Sequence, residues 1–332
     1  MKIECPCCGS GIFELVVPKG ELADEMRLRD AFARARSNNG GGGQDLQDRT
    51  SFTHDEAVDL YACRVCGLLV RDELEEDFTE VYANDRYDDD VLEQFLVRDV
   101  DFFSKKQDPY AKLLPPEAKV VEIGSYAGGF LHVAASWGWE VEGIDIGEDA
   151  ARFANDRGYK TYQATLEERA YPDGSLDGLF IWNCFDQLPN PASTLLEASR
   201  VLRKGGPIVI RTPNAAFYRL CRQELDPSRE ISALVHHRMT RILGYNNLLG
   251  FPYQFGYAPS NLQRLLERTG FSVRRLLPSQ LMAFPSSDSP EWAQNEAKET
   301  ADLLTSLANR FSSIQPDVFF SPWMEIIAEK TT

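Results

Sequence analysis

Short apolar runs alternate with amphipathic stretches through the second half of the chain. Residues 120–123 predict a buried strand that leads directly into a glycine-rich turn and a helix. Helical stretches at 148–157 and 192–201 separate the strand-like runs that follow. Those runs are 143–146, 159–163, 179–183 and 207–212. Strands that alternate with helices predict an α/β fold with a mostly parallel, doubly wound sheet.

The pattern changes after residue 214. Residues 215 to about 260 form a long insertion, rich in aromatic, histidine and asparagine residues, which predicts a wall of a substrate pocket. Beyond it, a helix at 261–269 and strands at 271–276 and 323–328 predict an antiparallel pair at the sheet edge. The amphipathic stretch 291–311 predicts a helix that either lies on the surface or builds a homodimer contact.

The first part of the chain is organised differently. Helical character at 21–36 is followed by four glycines at 40–43, which predict a mobile surface loop. Apolar positions at helical spacing across 90–106 predict a helix that packs over the sheet or over a bound cofactor. These shifts divide the chain into a small N-terminal domain, a helical linker and a main domain, with boundaries at 1–75, 76–116 and 117–332.

Composition limits the classes of partner. A chain of 332 residues with 43% hydrophobic and 26% charged residues has room for one ordinary catalytic domain and a small accessory domain. The formal net charge of -16, from 51 acidic and 35 basic residues, argues against a nucleic-acid partner, which would require a basic surface. No run of the sequence resembles a membrane span. Seven cysteines without a secretory signal predict a reducing, cytoplasmic location.

Two cysteine knuckles stand near the N-terminus. Cys5 and Cys8 form one C-x-x-C-G motif, and Cys63 and Cys66 form the other. Two such knuckles supply the four sulfur ligands of a closed, structural Zn²⁺ site, in which Cys7 is spare. The alternative is a redox or disulfide pair, which would not need two matched knuckles. A segment this small has little core of its own, so we expect zinc to stabilise it.

The turn after the first predicted strand carries candidate binding chemistry. Asp145, about 20 residues beyond the turn, is placed to accept hydrogen bonds from the two hydroxyls of a ribose. A dinucleotide loop needs a bare glycine where this chain has Tyr126, whose phenol would obstruct a diphosphate. Glu122 has no partner on a pyrophosphate but can hold the cationic end of an amino acid. These features favour S-adenosyl-L-methionine (SAM), whose carboxylate can bind N–H groups at the helix start.

The motif Glu122-x-Gly124-x-x-x-Gly128, together with Asp145, resembles the cofactor loop of class I SAM-dependent methyltransferases, although the middle glycine of the usual pattern is missing. The resemblance implies a Rossmann-like fold and a set of cofactor-binding residues. These are Glu122, Gly124, Ser125, Tyr126, Gly128, Gly129, Phe130, Asp145, Ile146, Thr165, Leu166 and Asn183. For Ile146 and Leu166, simple core packing is an equal alternative. Tyr82 and Tyr87 stand where tyrosines of this family help to enclose the cofactor.

The candidate catalytic residues depart from that family. Many small-molecule members read Glu-His-Leu after the fourth strand, but this chain has Asp186-Gln187-Leu188, and a glutamine cannot act as a base. Histidine is the natural base near neutral pH, which leaves His236 and His237 of the insertion as candidates. The alternative is that both only shape the insertion. Tyr245 and Tyr257 are candidates for substrate contact.

An N-terminal zinc ribbon joined to a class I domain resembles methyltransferases of sugar and natural-product modification. The leading hypothesis is methyl transfer to an oxygen or carbon atom of a small-molecule or carrier-linked substrate. One alternative is a non-catalytic SAM-binding scaffold whose zinc ribbon recruits a partner. Another, an NAD-dependent oxidoreductase, is disfavoured by Glu122 and Tyr126.

Overall fold

The structure, a computed structural model, describes residues 4–36, 56–72, 86–223, 233–281, 290–314 and 319–331. The predicted glycine loop at 40–43 and Tyr82 lie outside these residues. Within them no helix is long and apolar enough to cross a membrane.

The strands, in chain order, are β1 (Phe13–Val17), β2 (Leu60–Cys63), β3 (Leu69–Arg71), β4 (Lys119–Ile123), β5 (Glu140–Asp145), β6 (Thr161–Gln163), β7 (Gly178–Trp182), β8 (Pro207–Pro213), β9 (Phe255–Gly256), β10 (Phe271–Ser279) and β11 (Trp323–Lys330). The helices are α1 (Lys19–Ala35), α2 (Asp89–Ser104), α3 (Gln107–Tyr110), α4 (Gly129–Ser136), α5 (Glu148–Asp156), α6 (Pro191–Val201), α7 (Ala215–Gln223), α8 (Ala233–Tyr245), α9 (Pro259–Arg268) and α10 (Glu291–Ile314). The predicted strands and helices are therefore all present, with ends that differ by a few residues.

The main sheet confirms the predicted α/β fold. Its strand order is β10-β11-β8-β7-β4-β5-β6, and the strands from β8 to β6 are parallel. β11 runs antiparallel to both of its neighbours, β8 and β10, as expected for the predicted edge pair. Helices cover both faces of this doubly wound sheet, which brings the carboxyl ends of the parallel strands to one edge.

Alternate residues of the central strands build two cores. Val121 and Ile181 point to the face covered by α6 and α9, whereas Val120, Phe180 and Val209 belong to the opposite core with α2 and α4. A strand buried on both faces needs a nearly continuous apolar run, because each successive side chain enters a different core. This explains why β4, β7 and β8 read as apolar runs in the sequence.

A second, smaller sheet has the order β1-β2-β3-β9. Its first three strands come from the N-terminal segment, but β9 belongs to the insertion after β8, and Val70 of β3 pairs with Phe255. The predicted N-terminal domain and the predicted insertion therefore share one sheet.

The rest of the insertion is mainly helical. α7 binds α1, because Tyr218 and Arg222 both donate hydrogen bonds to the buried Glu25 at 2.9 and 2.7 Å. α8 binds α10, where Glu296 accepts a hydrogen bond from Tyr245 at 2.8 Å and pairs with Arg241 at 3.0 Å. The insertion thus connects the N-terminal segment to the main domain.

Candidate functional site

A cavity of about 370 Å³ lies at the carboxyl ends of the parallel strands. This volume falls within the range of small-molecule sites. One wall consists of Tyr87, two residues before α2, and of Phe95, Arg98, Asp99 and Phe103 from α2. The loops after the strands supply the rest: residues 122–126, 144–147 with Ala150, 164–167, 182–184, 187–190 and 193–194. Ligands of open α/β sheets bind at this position.

The glycine-rich turn approaches its neighbours closely. Gly124 has a φ of 69°, and a Cβ there would lie 2.7 Å from the Sγ of Cys184. A side chain at this position would therefore meet both backbone strain and a steric clash. Gly129 begins α4, and a Cβ there would lie 2.3 Å from the Cβ of Asp99. Its small size allows α4 to pack against α2.

Asp145 is fixed at the end of β5 by two backbone N–H groups. Its Oδ2 accepts a hydrogen bond from Tyr126 N at 2.8 Å, and its Oδ1 accepts one from Gly147 N at 2.8 Å. Each carboxylate oxygen has a second lone pair. The side chain lines the cavity, where a carboxylate can accept hydrogen bonds from a pair of ligand hydroxyls.

Glu122 is a buried acid on the cavity wall. It is 3% exposed, and its Oε2 has no hydrogen-bond partner among the described residues. Burial, with the nearby carboxylates of Asp99 and Asp145, raises the pKa of Glu122 well above its usual value. A ligand cation beside Glu122 would favour the carboxylate form and supply the missing partner. The site therefore fits an ammonium group.

Arg98 and Asp99 add a buried ion pair to the wall. The Nε of Arg98 donates to the Oδ1 of Asp99 at 2.7 Å. Burial raises the pKa of Asp99, and Arg98 opposes that increase. Counted with Glu122, Asp145 and Glu167, the described lining has four carboxyl groups and one guanidinium. This balance favours cationic or neutral ligands over anionic ones.

Arg211 of β8 holds the end of β7. Its fully buried guanidinium donates hydrogen bonds to Asn183 Oδ1, to Gln280 O and, at 3.1 Å, to Ser279 Oγ. Asn183 has a φ of 63°, a conformation that is uncommon for residues other than glycine. The arginine thus stabilises a turn that lines the cavity.

Aromatic rings close one side of the cavity. The ring of Tyr126 makes edge contacts with Tyr87 at 5.4 Å and Phe95 at 5.0 Å between centroids. Trp182, 3% exposed, packs on Phe103 at 5.1 Å, and its Nε1 has no partner among the described residues. Tyr126, which replaces a glycine of the usual pattern, therefore contributes to an aromatic wall with α2.

The structure brings most of the predicted cofactor residues together. The residues that line the cavity are Glu122, Gly124, Ser125, Tyr126, Asp145, Ile146, Thr165, Leu166 and Asn183. Gly128, Gly129 and Phe130 do not line it. Gly128 packs against Tyr159 with a φ of 85°, and Phe130 lies in the core between α2 and the sheet. These three residues support the turn from behind.

The predicted catalytic and substrate residues lie elsewhere. His236 and His237 are exposed on α8, and neither lines the cavity. Tyr245 donates a hydrogen bond to Glu296, and Tyr257 is buried against Phe185, with ring centroids 5.1 Å apart. The reason is the fold of the insertion: it packs beside α1 and α10 instead of forming a wall of this cavity. His236, His237, Tyr245 and Tyr257 therefore lie outside the lining of this cavity.

Other lining residues were missed by the sequence argument. Arg98 and Asp99 sit on the apolar side of a helix, where the spacing of α2 predicts only packing. The sequence predicts only a strand position for Trp182, and at Gln187 it shows only the replacement of a histidine. The signal available for Asp99 was an acid within an apolar helical stripe, since a buried acid needs a partner.

The four predicted zinc ligands form one cluster. The Sγ atoms of Cys5, Cys8, Cys63 and Cys66 all lie within 4.8 Å of one another. The separations of Cys5 from Cys66 and of Cys8 from Cys63 are 3.5 Å. A tetrahedral zinc ion with Zn–S bonds of about 2.3 Å places its sulfur atoms about 3.8 Å apart. The donor set and its spacing therefore fit a closed zinc site, and Cys7 lies outside the cluster.

Comparison with known proteins identifies the class. The family described as "Methyltransferase domain" matches residues 89–276. The chain belongs to this family, and its sheet has the class I methyltransferase fold, with a cysteine cluster that fits an N-terminal zinc ribbon.

Individual relatives are more distant. The chain is 30% identical over 112 residues to a demethylmenaquinone methyltransferase of Tropheryma whipplei, a match that covers 31% of this chain and 47% of the relative. It is 29% identical over 115 residues to a sarcosine/dimethylglycine N-methyltransferase of Halorhodospira halochloris, covering 32% of this chain and 41% of the relative. The chain thus spans about half the length of the curated relatives it matches.

Solved structures with a similar fold include two methyltransferases. A SAM-dependent methyltransferase from Archaeoglobus fulgidus is 20% identical with a TM-score of 0.43, and the match covers 70% of this chain and 94% of that one. An S-adenosylmethionine-dependent methyltransferase from Mesorhizobium loti is 17% identical with a TM-score of 0.44, and the match covers 68% and 97%.

Proposed function

We propose that this protein transfers a methyl group from SAM to an oxygen or carbon atom of a small acceptor. The proposal rests on Glu122 and Asp145, which both line the cavity. Each has the chemistry that one part of SAM requires. Family membership supports the same activity.

The proposed cofactor contacts follow from these side chains. Asp145, already held by two N–H groups, accepts hydrogen bonds from the ribose hydroxyls. Glu122 pairs with the α-ammonium group of SAM, which gives its Oε2 the hydrogen-bond partner that it lacks among the described residues. When bound, SAM supplies an electrophilic methyl on a cationic sulfonium. The acidic lining stabilises that cation and would repel the diphosphate of NAD, so the charge balance favours SAM over a dinucleotide.

The acceptor is proposed to bind on the aromatic side of the cavity. Phe95, Phe103 and Trp182 offer apolar faces, and the Nε1 of Trp182 can donate to an acceptor oxygen. Aligning the acceptor with the methyl group supplies much of the acceleration of an in-line displacement, with ideal orientation worth roughly 7–11 kcal/mol. The aromatic wall also excludes water. A neutral acceptor suits the excess of carboxyl groups better than an anionic one.

A group that lines the cavity must remove the proton of the acceptor, or the acceptor must be acidic enough to lose it readily. No histidine is among the described lining residues. An acceptor such as a phenol or an enolisable carbon loses its proton readily, so it needs only a weak base. We therefore place phenolic and enol-type acceptors ahead of simple sugar hydroxyls in the proposal.

Turnover distinguishes an enzyme from the alternative, a SAM-binding scaffold. The experiment measures S-adenosylhomocysteine formation from SAM with panels of phenols, enolisable ketones and neutral sugars. Product that requires both an acceptor and the wild-type protein, and that is lost in Asp145→Ala, supports the enzyme. SAM binding without product across the panels would favour the scaffold, for which the exposed residues of the zinc ribbon would supply the partner surface.

We further propose that Cys5, Cys8, Cys63 and Cys66 hold a structural zinc ion. The set is closed by four thiolates, which leaves no coordination position for a substrate. Its role would be to stabilise the small β1-β2-β3-β9 sheet.

A further inference from the structure

Gln254 connects the small sheet to the wall of the cavity. Gln254 lies directly before β9 and next to the turn that follows β7. Its backbone N donates to Asp186 O at 3.3 Å, and its side-chain Nε2 donates to Gln187 O at 3.1 Å. Gln187 and the next three residues line the cavity. Gln254 is 2% exposed, so water does not compete readily for these bonds.

The backbone of Gln254 also joins β3, at the end of the strand away from the second knuckle. Its backbone carbonyl oxygen accepts a hydrogen bond from Arg71 N at 3.2 Å, where β3 ends. β3 begins three residues after Cys66, one of the four proposed ligands. The carbonyl of Cys66 in turn accepts a bond from Asn261 Nδ2 at 3.4 Å, at the start of α9. A continuous path of contacts therefore runs from the second knuckle through β3 and Gln254 to the turn that follows β7.

The turn is also held by other contacts, since Asn183 Oδ1 accepts a hydrogen bond from Arg211 and the ring of Phe185 packs on Tyr257 at 5.1 Å. Asp186 is fully buried, yet neither of its carboxyl oxygens has a hydrogen-bond partner among the described residues. The side chain of Gln187 bonds to Asn183 O at 3.4 Å, within the same turn. The contacts from Gln254 connect this turn to β9 and β3.

We propose that Gln254 is a positioning residue that makes the shape of the cavity wall at 187–190 depend on metal binding by the cysteine cluster. When the four cysteines bind metal, β3 fixes the position of β9 and Gln254, and Gln254 fixes the turn that follows β7. Without metal, β3 loses its support, and the turn loses the contacts on that side. The inference rests on the proposed function only in treating this cavity as the cofactor site.

The test is amide hydrogen exchange on the full chain, which needs neither cofactor nor acceptor. Wild-type protein is compared with and without a zinc chelator, and zinc-loaded Gln254→Met is compared with zinc-loaded wild type. Methionine keeps the approximate shape of glutamine but cannot donate to Gln187 O. The matched control is Gln263→Met on α9, where the exposed glutamine donates a hydrogen bond to Glu267 at 2.8 Å.

We expect chelation to increase exchange in both 60–71 and 183–190. In zinc-loaded Gln254→Met we expect faster exchange at 183–190 alone, and Gln263→Met should match wild type. Affinity for S-adenosylhomocysteine should fall about fivefold in Gln254→Met, the scale of one lost hydrogen bond. Peptides from β4 and β5 report whether chelation unfolds the whole domain.

Unchanged exchange at 183–190 in zinc-loaded Gln254→Met would overturn the proposal, whatever chelation does. Equal exchange at 183–190 in chelated and zinc-loaded wild type would also overturn it. If the protein bound no SAM or S-adenosylhomocysteine while the exchange pattern was as expected, the proposed function would fail and the structural coupling would stand.

Discussion

At the scale of single residues, the site is defined by a buried acid that lacks a cation beside it. The Oε2 of Glu122 has no hydrogen-bond partner among the described residues, and the carboxylates of Asp99 and Asp145 lie near it. Such a group is costly to ionise in the free protein, and a bound cation offsets that cost. The same feature predicts how ligand binding depends on pH.

SAM binding near neutral pH should release protons. Burial and the two neighbouring acids raise the pKa of Glu122 in the free protein, and the ammonium group of SAM lowers it on binding, so protons are released at pH values between the two. Affinity should therefore increase as the pH rises toward the pKa of Glu122 in the free protein. Titration calorimetry in two buffers of different ionisation enthalpy measures the released protons directly.

The variant Glu122→Gln provides the control. It keeps the shape of the side chain but cannot ionise, so it should bind SAM more weakly and without the proton release assigned to Glu122. Proton release equal to that of wild type would show that another group titrates on binding.

At the scale of elements, the cavity depends on the close approach of α4 to α2. Gly129→Ala would place a Cβ 2.3 Å from the Cβ of Asp99, so one helix must move. We expect a loss of about 1–3 kcal/mol in the free energy of unfolding, the usual cost of an overpacked core. Chemical denaturation measures this loss, and SAM affinity should fall with it because Asp99 lines the cavity.

Gly20→Ala is the matched control in α1. Nothing lies within 4 Å of a Cβ built there, and alanine is the better helix former, so stability should be unchanged or higher by up to about 1 kcal/mol. Equal stability of the Gly129 and Gly20 variants would contradict the packing argument.

The small sheet depends on its four cysteines. Cys8→Ser removes one proposed ligand, so the purified protein should hold much less than one zinc ion per chain and unfold at a lower temperature. Cys7→Ser should keep its zinc, because Cys7 lies outside the cluster. Metal analysis and thermal unfolding test both variants. Similar zinc content in the two would contradict the assigned ligand set.

At the scale of the whole molecule, short sequence patterns were sufficient to predict the main sheet and most of the cavity lining next to β4 and β5. The turn after β4 and the acid at the end of β5 are short segments whose hydrogen bonds are made close by, so their sequence determines their geometry. The knuckles were equally clear, since a C-x-x-C motif turns two thiols toward one point.

The remaining features depend on contacts between distant segments. β9 has only two residues, and nothing in its own sequence shows that it joins β3. His236 and His237 were chosen by residue type, but their position depends on how α8 packs against α1 and α10. The small sheet, the insertion and the turn that follows β7 are joined by hydrogen bonds between segments that are far apart in the sequence.

Titration calorimetry with SAM, S-adenosylhomocysteine and NAD tests whether this cavity binds SAM. The proteins compared are wild type, Asp145→Ala and the exposed control Asp156→Ala. We expect wild type and the control to bind the first two ligands and not NAD. Asp145→Ala should lose about 1–3 kcal/mol of binding free energy through its missing ribose hydrogen bonds. Unchanged SAM affinity in Asp145→Ala, or binding of NAD in place of SAM, would contradict the assignment of this cavity.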